Sequence, residues 1–315
     1  MTLRVYSADE VHAALPWPEL ADALEAAFVA AATETPLRHA HALHGDGTLL
    51  LMPAWSSAAL GVKVVTVMPG AAALGAGTVQ ASYLLLDRAS GVARALIDGD
   101  ALTLRRTAAT SALAARHLAR ADAKRLLLVG SGRLAPWLAR AHVALNPGLV
   151  HVGVWGRNAE ATELVVEALR DEGIDAEVAP DLPSAASAAD LICCATTSRE
   201  PLLHGAWLRA GTHLDLVGGF RRDMREADDA AVARARIVVD TYAGALAEAG
   251  DLTQPLERGV IAREQVVAEL GQLLRGERRG RVAQSDITLF KSVGAALEDL
   301  AAAQLVVSSQ PGNGR

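Results

Sequence analysis

Short apolar segments alternate with helical patterns from residue 125 onward, and this alternation is the strongest constraint on the fold. The apolar segments predict strands at residues 125–129, 149–155, 174–178, 190–195, 212–217 and 236–240. Helices are predicted at 133–145 and 158–172, between the first three strands. Strands that are apolar on both faces and alternate with helices form parallel sheets covered by helices on each side. We therefore predict an α/β domain with a doubly wound parallel sheet.

The first hundred residues follow a different pattern. Two short helices are predicted within residues 7–33, where Ser7 and Glu10 have the spacing of a capping box. Period-two alternation then predicts strands at 37–44, 48–52, 60–67, 78–86 and 92–98, with a hairpin turn at 87–91. A long helix follows over 100–119 with Asp100 as its cap, the last helix spans about 292–306, and the tail at 308–315 is expected to be disordered. This is an α+β unit with a mostly antiparallel sheet, so the 315 residues are expected to form two domains.

Composition and charge exclude several classes of function. The net charge is −6 and no block of Lys or Arg is present, which argues against nucleic-acid binding. No run of about 18 apolar residues predicts a membrane span, and the first residues lack the apolar region of a signal peptide. The only two cysteines, Cys193 and Cys194, are adjacent within a predicted buried strand. The expected location is therefore a reducing cytoplasm.

A glycine-rich loop lies where the parallel domain begins. The segment R-L-L-L-V-G-S-G-R-L-A places Gly130-x-Gly132-x-x-Ala135 directly after an apolar strand and at the start of a helix. In that context the glycines let backbone N–H groups approach a pyrophosphate at a helix N-terminus. A plain glycine-rich turn is the alternative that the bare motif leaves open. We predict a Rossmann dinucleotide-binding domain.

The end of the next strand indicates which dinucleotide is bound. NAD-binding sites usually carry Asp or Glu at this place, where the carboxylate holds the ribose hydroxyls. This chain has Trp155-Gly156-Arg157-Asn158 instead. An arginine suits a 2′-phosphate, so NADPH is favoured as the cofactor. The alternative is a solvated Arg157 with NAD(H) as the cofactor.

Three cationic residues in the first domain are candidates for binding an anion. Lys63 lies within the predicted strand L-G-V-K-V-V-T-V and shares a face with Val65. Arg38 and Arg106 raise the same question, and the small residues after Arg105-Arg106 predict that one of these two arginines faces inward. Any one of the three cations alone could instead be a surface residue whose stem covers apolar neighbours.

Three histidines in the first predicted strand, at 37–44, are candidate metal ligands. His39 and His41 share a strand face and His44 follows them, but no Asp, Glu or Cys completes a convincing set nearby. Because zinc sites need three or four ligands, no metal is expected. The chain also lacks the G-x-S-x-G and H-E-x-x-H motifs.

Five stretches in order along the chain resemble one family. They are G-V-K-V-V (61–65), R-T-A-A-T-S-A-L-A-A-R-H-L-A (106–119), the G-S-G loop, V-V-D-T with E-A-G-D-L (238–252) and I-T-L-F-K-S-V-G-A-A-L-E-D (287–299). Together they resemble the ornithine cyclodeaminase/mu-crystallin family from end to end. The resemblance implies a homodimer whose dimerisation and substrate domain comprises residues 1–115 with 300–315. It also implies a Rossmann dinucleotide-binding domain at 116–299.

The resemblance further implies which residues bind the ligands. Arg38, Lys63 and Arg106 would hold the substrate carboxylate, with Lys63 and Arg106 as catalytic residues and Phe220 beside the substrate. The residues that would contact a nicotinamide cofactor are Thr78, Arg106, Thr107, Gly130, Ser131, Gly132, Arg133, Leu134, Gly156, Arg157, Asn158, Thr196, Thr197, Val217, Phe290, Lys291, Ser292, Val293 and Gly294. One departure concerns the phosphate loop, because the family usually has Gln-Ala where this chain has Leu134-Ala135.

The residue at the position of Phe220 distinguishes two types of reaction within the family. The cyclodeaminase and archaeal alanine dehydrogenase branches carry an Asp directly after the small pair, where L-V-G-G-F places Phe220. The cyclodeaminase branch also carries a Glu two residues before a Met-Pro pair, and Leu50 stands there in this chain. Phenylalanine can neither relay a proton nor pair with an ammonium. The segment R-R-D-M-R-E (221–226) resembles the mu-crystallin and ketimine-reductase branch.

These features lead to one hypothesis and three alternatives. The hypothesis is an NAD(P)H-dependent reductase of small cyclic α-imino acids, of the Δ1-pyrroline-2-carboxylate or Δ1-piperideine-2-carboxylate type, with hydride transfer to C=N. The enzymatic alternatives are an ornithine cyclodeaminase and an alanine dehydrogenase-like enzyme. A non-catalytic, crystallin-like protein that binds NADPH or another ligand is the third alternative. No proton donor to the imine nitrogen is evident from the sequence.

Overall fold

The computed structural model describes residues 3–75 and 77–309. Up to residue 118 its helices and strands are β1 (Arg4–Tyr6), α1 (Ala8–Ala14), α2 (Trp17–Ala30), β2 (His39–Ala42), β3 (Thr48–Trp55), β4 (Ala59–Val67), β5 (Val79–Asp87), β6 (Ala93–Asp98) and α3 (Gly99–Leu118). From residue 125 they are β7 (Arg125–Val129), α4 (Ala135–Leu145), β8 (His151–Trp155), α5 (Ala159–Asp171), β9 (Ala176–Val178), α6 (Leu182–Ala188), β10 (Leu191–Cys194), β11 (His213–Leu216), α7 (Asp229–Arg234), β12 (Ala235–Val239), α8 (Tyr242–Glu248), α9 (Gly250–Glu257), β13 (Val266–Glu269), α10 (Leu270–Leu274), β14 (Ile287–Lys291) and α11 (Ala296–Ser308). None of the described helices is long and apolar enough to cross a membrane.

The described residues fall into two compact units. Unit 1 comprises the described parts of Met1–Thr107 and Ala295–Arg315, and unit 2 comprises Ala108–Gly294. The predicted disorder at 308–315 lies outside the described residues from 310 onward, while Ser308 is the last residue of α11.

Unit 1 is built on a six-stranded sheet in the order β1-β6-β5-β4-β3-β2. All neighbouring strands are antiparallel except β1, which pairs with β6 in parallel. The α+β unit with a mostly antiparallel sheet is therefore confirmed, as is the turn at 87–91, where the Gly91 N–H donates to the Asp87 carbonyl at 2.9 Å. The three-residue strand β1 was missed because it is too short to show a period. Helix α11 packs on β3, β4 and β5, so one face of the sheet is buried within the unit.

Of the two helix caps predicted in unit 1, one is confirmed and the other is wrong. Ser7 caps α1 through the predicted capping box with Glu10. The cap predicted at Asp100 is wrong, because α3 begins at Gly99 and Asp100 lies in its first turn. The side chain of Asp98 accepts a hydrogen bond from the N–H of Ala101 at 2.8 Å instead. The capping position therefore lies two residues earlier than predicted, at the preceding acid.

Unit 2 is built on an eight-stranded parallel sheet in the order β13-β12-β14-β11-β10-β7-β8-β9. The chain runs from β7 outward through β8 to β9, and then returns to the other side of β7 with β10 and β11. This reversal is the switch point of a doubly wound sheet, beside which dinucleotides bind. The predicted Rossmann α/β fold is confirmed. The sequence predicted neither β13 nor β14, although β14 is a central strand between β11 and β12.

The two cysteines lie fully buried in β10, as predicted. The thiol of Cys193 donates a hydrogen bond to Oδ2 of Asp215 at 3.1 Å, and Nε2 of His142 lies 3.2 Å from the same oxygen. The hydroxyl of Ser111 lies 3.4 Å from Oδ1 of Asp215. Burial raises the pKa of both thiols. Asp215 is thus a buried carboxylate satisfied by hydrogen bonds inside the sheet.

Candidate functional site

Four charged side chains form a buried ionic cluster in unit 1: Lys63, Arg106, Glu298 and Asp299. Nζ of Lys63 lies 2.9 Å from Oδ1 and 2.8 Å from Oδ2 of Asp299. Nε of Arg106 donates to Oδ1 of Asp299 at 2.9 Å, and its Nη1 donates to Oε2 of Glu298 at 2.7 Å. Lys63 is 3% and Arg106 5% exposed, so neither cation is a solvated surface residue. Both cations are held at fixed positions by charge-assisted hydrogen bonds.

Three elements bring this ionic cluster together. Lys63 lies in β4 on the face that alternation buries, opposite Met52 of β3 and Tyr83 of β5. Arg106 projects from α3, and the two acids come from the first turn of α11. Acidic residues in a first turn also interact favourably with the helix dipole. Because α11 packs on β4, its acids reach the cations of the sheet and of α3.

The sequence reasoning missed Glu298 and Asp299. A signal was present, since L-E-D stands near the start of an alanine-rich predicted helix, yet two acids at a helix start usually have only a capping role.

The prediction that one of Arg105 and Arg106 faces inward was too narrow, because both are buried. Arg105 donates to the Leu15 carbonyl and its guanidinium carbon lies 3.6 Å from the centre of the Trp17 ring.

The charged groups of the cluster alter one another's pKa values. Burial and the neighbouring Arg106 lower the pKa of Lys63 to about 8, against the opposing effect of Asp299. Burial disfavours the charged form of Asp299, yet Arg106 and Lys63 leave the pKa of that carboxyl below its usual value. Lys63 therefore carries its charge at neutral pH. Its ammonium has three donors and bonds Asp299 and, at 3.4 Å, the Thr103 hydroxyl. These oxygens, together with Oδ2 of Asp299 at 2.8 Å, hold the ammonium in place.

The other predicted site residues of unit 1 lie at different places. Arg38 is half-buried and directly precedes β2, where continuing the register of His39 with Leu51 sets it opposite Met52. Since Met52 pairs with Lys63, Arg38 and Lys63 fall in one row on one face of the sheet, two strands or about 10 Å apart. Thr78 is exposed immediately before β5, and Thr107 is half-buried beside Arg106 in α3.

The predicted cofactor residues of unit 2 gather at one edge of its sheet, which we call the cofactor edge. It consists of the loops that follow the carboxyl ends of β7, β8, β10, β11 and β14. These loops contain residues 130–134, 156–158, 196–197, 217–220 and 292–294. Because all these strands are parallel, their carboxyl ends lie on the same side of the sheet.

The glycines of the first loop fit a dinucleotide. Gly130 has a φ of +123°, and a Cβ there would lie 2.6 Å from the Ala195 carbonyl oxygen, so only glycine is accommodated. A Cβ on Gly132 would meet no described atom within 4 Å, which leaves open space above the start of α4. Helix α4 has no side-chain cap; the N–H of Ala135 donates to the Gly132 carbonyl at 3.0 Å, and Pro136 has no N–H. A glycine turn beside open space at a helix N-terminus is suited to a pyrophosphate.

The loop after β8 contains the residues predicted to distinguish the two cofactors. Asn158 caps α5 by accepting a hydrogen bond from the N–H of Ala161 at 3.1 Å. Arg157 is exposed, and within the described residues its guanidinium makes no ion pair. A Cβ on Gly156 would lie 2.5 Å from the hydroxyls of Ser131 and Thr162, so the loops after β7 and β8 pack closely.

Near β14, the residues predicted to contact the cofactor interact with the rest of the protein either through their side chains or through their backbone N–H groups. Phe290 and Lys291 are fully buried within the sheet. Nζ of Lys291 donates to the Leu216 carbonyl at 3.0 Å and to the Gly218 carbonyl, so its ammonium supports the loop after β11. Beyond Ser292, the N–H groups of Val293 and Gly294 donate to Asp240 at 2.7 and 2.8 Å.

Phe220 stands out in the loop after β11. Its ring is 42% exposed, which is high for a large apolar side chain, and it follows Gly219, whose φ is +58°. An exposed aromatic ring at a cofactor edge is suited to contacting an apolar part of a ligand.

Comparisons with known proteins identify relatives of this chain. The model of the ornithine cyclodeaminase/mu-crystallin family matches residues 2–313. A Δ1-pyrroline-2-carboxylate reductase of Paracoccus denitrificans is 41% identical over 269 residues, covering 84% of each chain. The structure of the Thermococcus litoralis Δ1-pyrroline-2-carboxylate reductase with NADH and L-proline has a TM-score of 0.92 at 33% identity, covering 98% of this chain and 97% of that one. An archaeal alanine dehydrogenase dimer with bound NAD has a TM-score of 0.91 at 29% identity, covering 98% of this chain and 96% of that one.

Proposed function

The chain belongs to the ornithine cyclodeaminase/mu-crystallin family, and from this premise we propose that it reduces small cyclic α-imino acids of the Δ1-pyrroline-2-carboxylate or Δ1-piperideine-2-carboxylate type. It is an NAD(P)-dependent oxidoreductase acting on C=N bonds, as its relatives indicate. The observation that carries the substrate class is the buried pair of cations Lys63 and Arg106. A fixed cationic pair inside a protein is suited to an anion such as a carboxylate.

The proposed roles follow from where the charges lie. Lys63 and Arg106 bind the carboxylate beside the imine carbon, and their charge draws electron density away from that carbon. Glu298 and Asp299 hold the two cations in place. A nicotinamide, when bound, would supply the hydride. The imine enters already protonated from solvent, so transfer of one hydride to carbon completes the amine.

Phe220 is proposed as an apolar wall for the substrate ring. Its exposed ring offers no group that could take up a proton or bind the ammonium of an open-chain amino acid. This supports reduction of a cyclic imine over cyclodeamination, which needs groups that handle the amino nitrogen.

NADPH is the proposed cofactor. Arg157 is exposed at the end of β8, where a 2′-phosphate is bound in sites of this kind. The nearest acid along the chain, Glu160, lies in the first turn of α5. An arginine in this position favours the additional phosphate of NADPH through charge-assisted hydrogen bonds.

A homodimer formed by the outer face of the unit 1 sheet is proposed. This face, opposite to that of Lys63, is apolar and only half-buried; its residues are Leu51, Pro53, Trp55, Leu60, Val62, Val64, Leu84, Leu86 and Leu96. Antiparallel sheets with a solvated face normally carry polar residues there. We expect a particle of twice 32.8 kDa by sedimentation, and we expect Val62→Asp to give monomers. A monomeric wild type would contradict this proposal.

We expect the purified protein to oxidise NADPH when Δ1-pyrroline-2-carboxylate is added. The reaction is measured as the loss of absorbance of the reduced nicotinamide. Replacing NADPH with NADH is expected to give slower oxidation at limiting cofactor, and Arg157→Ala should remove that difference. Ammonia release from ornithine without added cofactor would instead identify a cyclodeaminase. Cofactor binding without oxidation of any imino acid would favour the non-catalytic alternative.

A further inference from the structure

A fully buried acid lies beneath the cofactor edge and has no part in the proposed chemistry. Glu226 is 0% exposed. Its Oε1 accepts a hydrogen bond from the N–H of Thr196, in the loop after β10, at 2.7 Å. Its Oε2 has no hydrogen-bond partner among the residues that the structure describes. Buried carboxyl oxygens are normally satisfied, so this one calls for a physical reason.

The carboxyl group of Glu226 joins two loops of the cofactor edge. A Cβ on Gly218 would lie 2.1 Å from the Thr196 carbonyl oxygen and 2.3 Å from Oε1 of Glu226. The loops after β10 and β11 therefore meet over this carboxyl group with no room for a side chain between them. Thr196 and Gly218 therefore both lie directly against this carboxyl group.

The surrounding charges are already balanced without Glu226. Nζ of Lys291, from β14, lies 3.3 Å from Oδ2 of Asp251, from α9. Oδ1 of Asp251 accepts the N–H groups of Glu226 and Ala227 at 2.8 and 3.1 Å. One ammonium and one carboxylate compensate each other, so an ionised Glu226 would add an uncompensated negative charge inside the protein. Such a charge is costly to bury.

The protonation of Glu226 follows from these surroundings. Burial, together with Asp251 and against the opposing effect of Lys291, raises the pKa of Glu226 to about 8. The other titratable groups nearby are the thiols of Cys193 and Cys194 in β10, whose pKa values burial also raises. Asp240, at the end of β12, faces Lys291, and burial raises its pKa. Near neutral pH, Glu226 is therefore a neutral acid whose Oε1 serves as the acceptor for Thr196.

We propose that Glu226 is a positioning residue which, in its neutral form, holds the Thr196 and Gly218 loops in the arrangement that binds the cofactor. This inference rests on the proposed function, since it assumes that the cofactor edge binds a nicotinamide dinucleotide. When Glu226 loses its proton, the new charge faces Asp251 across the buried cluster, and the loops above it are displaced. Cofactor affinity then falls as the pH rises.

The test compares wild type with Glu226→Gln, which keeps the shape and cannot ionise. The dissociation constant for NADPH is measured by nicotinamide fluorescence between about pH 6 and pH 9.5, without substrate. For wild type we expect a rise of about tenfold from pH 7 to pH 9, as for a single ionisation near pH 8. For Glu226→Gln we expect no such rise. Glu167→Gln, an exposed glutamate of the same unit, is the matched control and should follow wild type.

A second measurement needs no ligand. The folded pKa of Glu226 is raised from 4.5 to about 8. Its stabilising contribution is therefore complete below about pH 4.5 and is lost as the pH rises towards 8. The free energy of unfolding of wild type should fall relative to that of Glu226→Gln over this range. A constant difference between the two proteins would show that Glu226 is ionised throughout, and would overturn the inference.

The outcomes distinguish this inference from the function on which it rests. The same pH dependence of NADPH binding in wild type and Glu226→Gln would overturn the positioning role while leaving the cofactor site intact. Failure of wild type to bind NADPH or NADH at any pH would refute the cofactor function itself.

Discussion

Lys63→Met is expected to lower kcat/KM for Δ1-pyrroline-2-carboxylate by about 100- to 1,000-fold while NADPH affinity stays within about twofold. The methionine keeps the aliphatic stem but removes the buried ammonium that we propose binds the substrate carboxylate. Losing one partner of a buried charge pair costs about 2–5 kcal/mol in binding, and the expected loss of about 3–4 kcal/mol lies within this range. Steady-state kinetics and a separate NADPH titration measure the two effects.

The stability of this variant has to be measured alongside its activity. Removing Lys63 leaves Asp299 with Arg106 as its remaining charged partner in the ionic cluster, and breaking a buried pair destabilises a protein by about 3–5 kcal/mol. Lys124→Met, at an exposed lysine, is the matched control and should retain wild-type kinetics. If folded Lys63→Met turned over the imino acid at the wild-type rate, the assignment of Lys63 to the carboxylate would be wrong.

The pH profile of the wild type is a second expected consequence of the same role. The pKa of Lys63 is lowered to about 8, and only the protonated amine can pair with a carboxylate. At saturating NADPH, kcat/KM should therefore fall as the pH rises through about 8. Glu226→Gln should keep this fall, because it leaves Lys63 unchanged.

Gly132→Ala is expected to leave the fold intact and to weaken NADPH binding by about 100-fold. An added Cβ at Gly132 meets no described atom within 4 Å, so the free energy of unfolding should change by only about 0.5 kcal/mol. The methyl group would occupy the space where a pyrophosphate approaches the backbone at the start of α4. Displacing charge-assisted hydrogen bonds worth about 1.5–3 kcal/mol each accounts for the loss of affinity.

Gly130→Ala is the contrasting variant in the same loop. Here the added Cβ would lie 2.6 Å from the Ala195 carbonyl oxygen, at a φ of +123°. We expect a loss of about 2–4 kcal/mol in the free energy of unfolding, measured by denaturant titration. Unchanged NADPH affinity in Gly132→Ala would place the pyrophosphate elsewhere and refute the assignment of this loop.

Local sequence patterns predicted the parts of the molecule that local physics decides. The apolar segments at 125–129 and 190–195 became β7 and β10 because a strand buried on both faces needs a continuous apolar run. Gly130 indicated a tight turn after β7, and its positive φ and the nearby Ala195 carbonyl oxygen exclude a side chain there. The order of the motifs identified the family before any contact was known.

The structure alone decided how distant residues pair. Lys63 and Asp299 are 236 positions apart, and nothing in either local segment indicates that they meet. Strand β14 was missed because I-T-L-F-K ends in a lysine, whose burial depends on the carbonyls of Leu216 and Gly218. Glu226 likewise appeared only as the last residue of a charged motif. Its neutral state depends on Asp251, Lys291 and the exclusion of water, which are properties of the packed fold.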